Sequence, residues 1–279
     1  MRVGLVCAVN SMLLVFGCVQ PPQPQALTPE PTIVPATPGL SQQQIVAEVE
    51  HLRAGLLDEV PRGAARTDAT DGAWVALAKT EVGAASFPID RPQLLVVVDR
   101  NPQVQELRIV LAQPADRPWL VIGGAKVSTG QAGRRGYFIT PTGVFRHTAG
   151  ILGYRALGTY NENGIRGLGI QGMRVWDFGW ETAEKGWAAA DQQGEIRLLM
   201  HATDPDYLEQ RLGRPASQGC VRVAAAMNRF LDRHGVLDAD YEQAARDDAR
   251  FDELLLPGRE PTPLAGDALV IVDSASAWK

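Results

Sequence analysis

The sequence predicts a mostly β, α+β fold: a β-sandwich or barrel with short flanking helices and an N-terminal helical element. Three observations carry this expectation. Leu94-Leu95-Val96-Val97-Val98-Asp99 is an apolar run bounded by Pro92 and Asn101-Pro102, the pattern of a buried strand. Short apolar segments and Gly-rich turns alternate through residues 123–172, without repeated strand–helix–strand units. The 279 residues are 45% hydrophobic, which supports a sizeable core.

The elements follow in order. Ser41 with Gln44 forms a capping box, Ser41 as N-cap and Gln44 at N3. Ile45, Val49, Leu52, Leu56 and Val60 then make one helical apolar stripe, which Pro61 ends, with His51 beside it as a surface residue. Asp71 to Glu81 reads as a second short helix containing Trp74. Residues 41–90 are therefore expected to be a helical element packed on the main domain. Gln105–Ala112, Trp119–Ile122, Ala125–Ser128, Ile196–Met200 and Leu269–Asp273 read as further strands. Asp204-Pro205 reads as the start of a helix with Gly213 just past its end. Ala224–His234 and Asp240–Leu256 read as two more helices. Cys220 is then expected just ahead of a helix N-terminus, where a thiolate is stabilised.

The N-terminus carries Arg2 and an apolar stretch from Val3 to Phe16 that is short for a bilayer span. Val15-Phe16-Gly17-Cys18 matches the cleavage site of bacterial lipoproteins, with Gly17 as the small residue before a lipidated Cys18. Residues 1–17 are expected to be a signal peptide. Residues 18–40 read as a tether, with seven prolines and no aromatic residue in 19–39. Val19 after Cys18 favours the outer membrane, so the expected place is the cell envelope, facing the periplasm. The remaining chain is long enough for one sizeable domain plus a small accessory element. The net charge of −5 disfavours a general nucleic-acid role.

Of three cysteines, Cys7 and Cys18 fall in the export signal, which leaves Cys220 as a lone thiol in Ser217-Gln218-Gly219-Cys220-Val221-Arg222. A thiolate that attacks a carbonyl needs a base and backbone donors for the oxyanion. His201 in Met200-His201-Ala202-Thr203 is the candidate base, and Cys220 the candidate nucleophile. The N–H groups around Gly219 and Cys220 are candidate oxyanion donors, and Gly219 permits a close backbone approach.

Residues from about 93 to 273 resemble the YkuD-type L,D-transpeptidase catalytic domain. The resemblance is carried by Val127-Ser128-Thr129-Gly130, Thr140-Pro141-Thr142-Gly143-Val144-Phe145, His201-Ala202-Thr203 and Ser217-Gln218-Gly219-Cys220-Val221-Arg222, in that order. It implies a mostly β fold, Cys220 as acyl-accepting nucleophile, His201 as base and peptidoglycan stem peptides as substrate. It also implies release of the terminal D-alanine of a tetrapeptide donor and transfer of the acyl group to a diaminopimelate amine or to water. The family has His where this chain has Gln218. With the upstream His201 present, the thiol chemistry is expected to survive and substrate handling to differ, the competing reading being a weakened or inactive member.

Other residues keep two readings. Arg222 meets a substrate carboxylate or makes a structural ion pair. Ser217 orients the nucleophile loop or only packs there, and Thr203 shapes the pocket or closes a local turn. The aromatic residues between Met173 and Trp187 form a loop lining a stem-peptide groove or belong to the core. His147 and His234 read as surface or core histidines. No clustered Cys/His set predicts a metal site, and no phosphate-binding loop or other cofactor motif is visible. A hydrolytic carboxypeptidase or amidase on the same bonds is the nearest alternative. A non-catalytic wall-binding lipoprotein and, last, a sortase-like thiol enzyme complete the set.

Overall fold

The computed structural model describes residues 39–61, 70–189 and 192–275, which belong to one compact unit, Gly39–Lys279. The export signal, Cys18 and the tether up to residue 38 lie outside the described residues. Nine strands and five α-helices run in the order α1 (Gln42–Glu59), α2 (Asp71–Ala84), β1 (Gln93–Asp99), β2 (Glu106–Ala112), β3 (Leu120–Lys126), β4 (Gly143–Arg146), β5 (Tyr154–Arg155), β6 (Arg174–Glu184), β7 (Gln193–Ala202), β8 (Val221–Val223), α3 (Ala225–Arg233), α4 (Ala239–Ala244), α5 (Ala249–Leu254) and β9 (Ala268–Val272) among the described residues. They form a five-stranded sheet, β3-β2-β1-β9-β4, and a four-stranded sheet, β5-β6-β7-β8. The mostly β expectation holds.

The apolar run at β1 has a simple cause. β1 pairs antiparallel with β2 and parallel with β9, and every one of its residues is buried. Leu94, Val96 and Val98 join the core shared with the second sheet, α1 and α3. Leu95 and Val97 face the opposite way, against Trp74, Ala78 and Val82 of α2. Both faces of the five-stranded sheet are thus covered, and each fully buried aliphatic side chain contributes about 1.5–3 kcal/mol. The α1 capping box forms, and Ile45, Val49, Leu52, Leu56 and Val60 of its stripe are buried.

Several expectations change. Trp119–Ile122 and Ala125–Ser128 are one strand, β3, running through Gly123-Gly124 with a bulge in its pairing between Ile109 and Val110. The aromatic stretch 173–187 is mainly strand rather than a loop. β6 is the second strand of its sheet, with Trp176 and Phe178 in the core. The Asp204–Gly213 helix is absent, and only a 3-10 turn forms at Glu209–Arg211. The Asp204 carboxylate accepts the N–H groups of Asp206 and Tyr207 but also that of Arg166, a long-range bond that outweighs local propensity. Asp240–Leu256 is two helices, because Asp248 caps a new start by accepting the Arg250 N–H.

His147 and His234 are both buried. His147 bonds Leu237 O through Nδ1 at 3.1 Å and stacks on Tyr241 with ring centroids 4.0 Å apart. Its role is packing within the core.

Candidate active site

The four motif segments converge on one loop. Ser217 and Ala216 donate their N–H groups to Thr129 O at 2.9 and 3.0 Å, and Gln131 N–H donates to Ser217 O at 3.1 Å. Phe138 N–H reaches Gln218 O at 3.3 Å, and Ser128 exchanges two backbone bonds with Arg222. The Thr140 hydroxyl accepts Gly130 N–H and donates to Gly219 O, both at 2.8 Å. Ser217 is fully buried, and its hydroxyl accepts Gly219 N–H at 3.1 Å and donates to Cys220 O at 2.6 Å. Ser217 therefore ties the nucleophile loop to itself. Gly219 sits at φ 129°, and a Cβ there would lie 3.0 Å from Ile196 Cδ1, so a side chain is strained as well as crowded.

Alternation along the strands builds the face of the site. β7 and β8 run parallel, with Met200 opposite Val221 and His201 opposite Arg222. Ile196, Leu198, Met200, Val221 and Val223 enter the core. Arg197, Leu199 and His201 of β7 and Arg222 of β8 consequently share the other face. The expected base thus lies on β7, and the expected nucleophile immediately precedes its partner strand β8. Cys220 is followed by β8 rather than a helix, so no helix dipole acts on its thiol. Burial pushes that thiol above its ordinary value, ahead of the opposing pulls of a backbone bond from Leu199 and the Arg222 charge. In this conformation the thiol donates to Arg197 O at 3.8 Å rather than to the imidazole.

His201 is buried, and its Nδ1 lies 2.7 Å from Ala202 O. That carbonyl holds the ring proton at Nδ1 and leaves the lone pair on Nε2. Burial lowers the imidazole from 6.5 to about 4, against the Ala202 bond and with the help of the Arg222 charge. Both partners therefore rest neutral near pH 7. The expected consequence is an acylation rate, as kcat/KM, that stays level from about pH 5 to 8 and falls only near pH 4. A limb at about pH 6.5 would mean an exposed, ordinary histidine.

Arg222 donates to Ala216 O at 3.1 Å, its Nε has no partner, and it pairs with no carboxylate among the described residues. The ion-pair reading is therefore not what the structure shows. Thr203 is buried and donates its N–H to Val223 O at 2.9 Å, extending the β7–β8 pairing. Gln218 is exposed, and its side-chain amide makes no hydrogen bond among the described residues.

The sequence reading missed a second group on this face. The Asp177 carboxylate accepts Arg197 Nε–H at 2.8 and 3.0 Å, and the Arg197 guanidinium lies 5.8 Å from the ring of Trp180, which is 66% exposed. Burial first, and then the nearby Asp177 and Cys220, raise the phenol of Tyr154 on β5. It also lines a cleft with Leu157, Tyr160 and Leu168. Only the odd spacing of charge among aromatics in Arg174-Val175-Trp176-Asp177-Phe178 hinted at this group.

The YkuD family model, an L,D-transpeptidase catalytic domain, matches residues 91–239. No curated protein matches. Among solved structures, a fused Zn-dependent amidase/peptidase/peptidoglycan-binding domain-containing protein of Clostridium acetobutylicum ATCC 824 is similar at 13% identity and a TM-score of 0.25. The match covers 57% of this chain and spans 56% of that one, and a score so low establishes no shared fold. Residues 91–239 are more than half of the 279, and they hold the convergent loop, His201 and Cys220, so the chain belongs to the YkuD family of L,D-transpeptidase catalytic domains.

Proposed function

We propose that the chain catalyses cysteine-dependent acyl transfer on peptidoglycan stem peptides, with Cys220 as nucleophile and His201 as base. The reading is supported by a lone thiol one residue ahead of β8, the strand that pairs with the His201 strand β7, and by a neutral, Nδ1-tethered imidazole on His201. In the proposed step the sulfur gives up its bond to Arg197 O and offers its proton to Nε2. Sulfur then bonds the carbonyl carbon of the donor while its proton passes to His201 Nε2. Gly219 N–H is occupied by Ser217 Oγ, which leaves the Cys220 N–H as the candidate donor to the oxyanion. Collapse expels the D-alanine amine, which takes the proton from His201. The acceptor amine next attacks the thioester, losing its proton to His201 and regenerating the thiol.

Arg222, half-buried and without a counter-charge among the described residues, is positioned to hold a substrate carboxylate. Tyr154 and Trp180 offer faces for the stem peptide. The same site with water as acceptor is the hydrolytic alternative. Incubation with a defined tetrapeptide muropeptide, followed by product masses, tests the reading. Cross-linked or exchanged products support transfer, a tripeptide alone supports hydrolysis, and unchanged substrate rejects both.

Gln218 takes the place of the family histidine, yet its exposed side chain lies outside the hydrogen-bonded loop. Gln218→Ala should keep acylation within about threefold of the parent, as exposed substitutions usually do. A loss as deep as that of a nucleophile variant would contradict this.

We further propose that lipid on Cys18 anchors the protein in the cell envelope, with residues 18–40 as tether. No helix among the described residues is long and apolar enough to cross a membrane. Cys18→Ser should move the protein from the membrane fraction to a soluble or unprocessed form. An unchanged mature, membrane-bound species would reject the anchor.

A further inference from the structure

Away from the thiol, the fold brings together three residues far apart in sequence: His51 on α1, His234 just past α3, and Glu260 in the loop after α5. Each offers one ligand atom, and the three atoms lie within 4.8 Å of one another. The two imidazoles meet edge to face, with ring centroids 5.9 Å apart. His51 and Glu260 are exposed, while His234 is 1% exposed.

A second observation concerns His234 itself. Its Nε2 lies 2.9 Å from Glu59 Oε1, so the carboxylate holds the ring proton there. Its Nδ1 is buried and has no hydrogen-bond partner among the described residues. A buried polar atom without a partner calls for an explanation, an unseen ion among them. A carboxylate on one imidazole nitrogen and a free lone pair on the other is the arrangement that metal-binding histidines adopt.

We propose that His51, His234 and Glu260 bind a divalent transition ion of the zinc class, with Glu59 as the positioning carboxylate behind His234. Two imidazoles and one carboxylate form a borderline donor set that suits Zn²⁺, Ni²⁺ or Co²⁺ and disfavours Mg²⁺ and Ca²⁺. The ion clamps α1, which leads the chain out of the tether, to the end of α3. The loop already pairs there, through Glu260 N–H to Arg233 O at 2.8 Å and Thr262 N–H to His234 O at 2.9 Å. Arg233 competes for the carboxylate, reaching Glu260 Oε1 at 2.8 Å, but its side chain is 46% exposed and free to swing into solvent.

The test is calorimetric titration of Zn²⁺ and Ni²⁺ into the untagged full chain with Cys7, Cys18 and Cys220 replaced, so that no thiol contributes. One site should appear, and the thermal midpoint should rise with added ion. His51→Ala removes an exposed ligand without disturbing the core and should weaken binding at least tenfold. Glu59→Gln should weaken it by about 10–100-fold, as other supporting carboxylates do. Arg233→Ala should tighten it severalfold by freeing Glu260. Equal affinity in the parent and His51→Ala chains, or no binding in either, would overturn the proposal. Displacement of Zn²⁺ by equimolar Ca²⁺ would overturn the assigned class.

Discussion

Cys220→Ala should abolish turnover, by on the order of 10⁴-fold or more, while leaving the thermal midpoint almost unchanged. The side chain is half-buried and makes one long bond, to Arg197 O at 3.8 Å, so little packing is lost. The chemistry loses everything, because Cys220 supplies the only thiol among the described residues. His201→Ala should slow acylation by about 10²–10⁴-fold, the usual contribution of a positioned base. The two effects should not multiply in the double variant, since a base without a nucleophile has no proton to take. Stopped-flow or discontinuous assays of D-alanine release over the three variants check this. Wild-type turnover in Cys220→Ala would end the thiol mechanism.

Gly130→Ala should be among the most damaging single changes to stability, costing about 4 kcal/mol or more, at the extreme of point substitutions. A Cβ at this position would lie 2.0 Å from Phe138 O and 2.7 Å from Thr140 N. Both are backbone atoms, so no side chain can swing aside. The Thr140 hydroxyl links Gly130 N–H to Gly219 O, which carries the displacement into the nucleophile loop. Activity should therefore fall even where the variant remains folded. Chemical denaturation gives the stability change, and a midpoint indistinguishable from the parent would show that the 128–140 segment yields more readily than its contacts imply.

The parts of the fold that were legible in the sequence are those whose cause is local or two-sided. Ser41 and Gln44 sit one helical turn apart and cap each other, and the α1 stripe needs only a 3.6-residue period. β1 was legible because burial on both faces writes an uninterrupted apolar run. β6 was not, since Arg174 and Asp177 break the pattern. Their partners, Asp238 and Arg197, neutralise them inside the fold and lie 64 and 20 residues away. Asp204-Pro205 carries good local helix signals, but its carboxylate is held by the Arg166 N–H, 38 residues earlier.

The candidate site divides in the same way. Cys220 and His201 stood out through their residue types and neighbours. The cradle of Gly130 and Thr140 beneath Gly219 depends on contacts up to 79 residues apart, and only the quoted motifs drew attention to those positions. The expected helix dipole at Cys220 was wrong because three residues of strand, Val221–Val223, intervene before α3. His51, His234 and Glu260 carry no spacing pattern at all, because three separate elements bring them together.

The proposed reaction passes through a thioester on Cys220. The purified chain should be mixed with a defined tetrapeptide donor in the absence of acceptor, quenched in acid within the first turnover, digested and mapped by mass. A tripeptidyl acyl group should appear on the peptide containing Cys220, with one D-alanine released per adduct. D-alanine release with no adduct on Cys220, or with the acyl group on another residue, would contradict it.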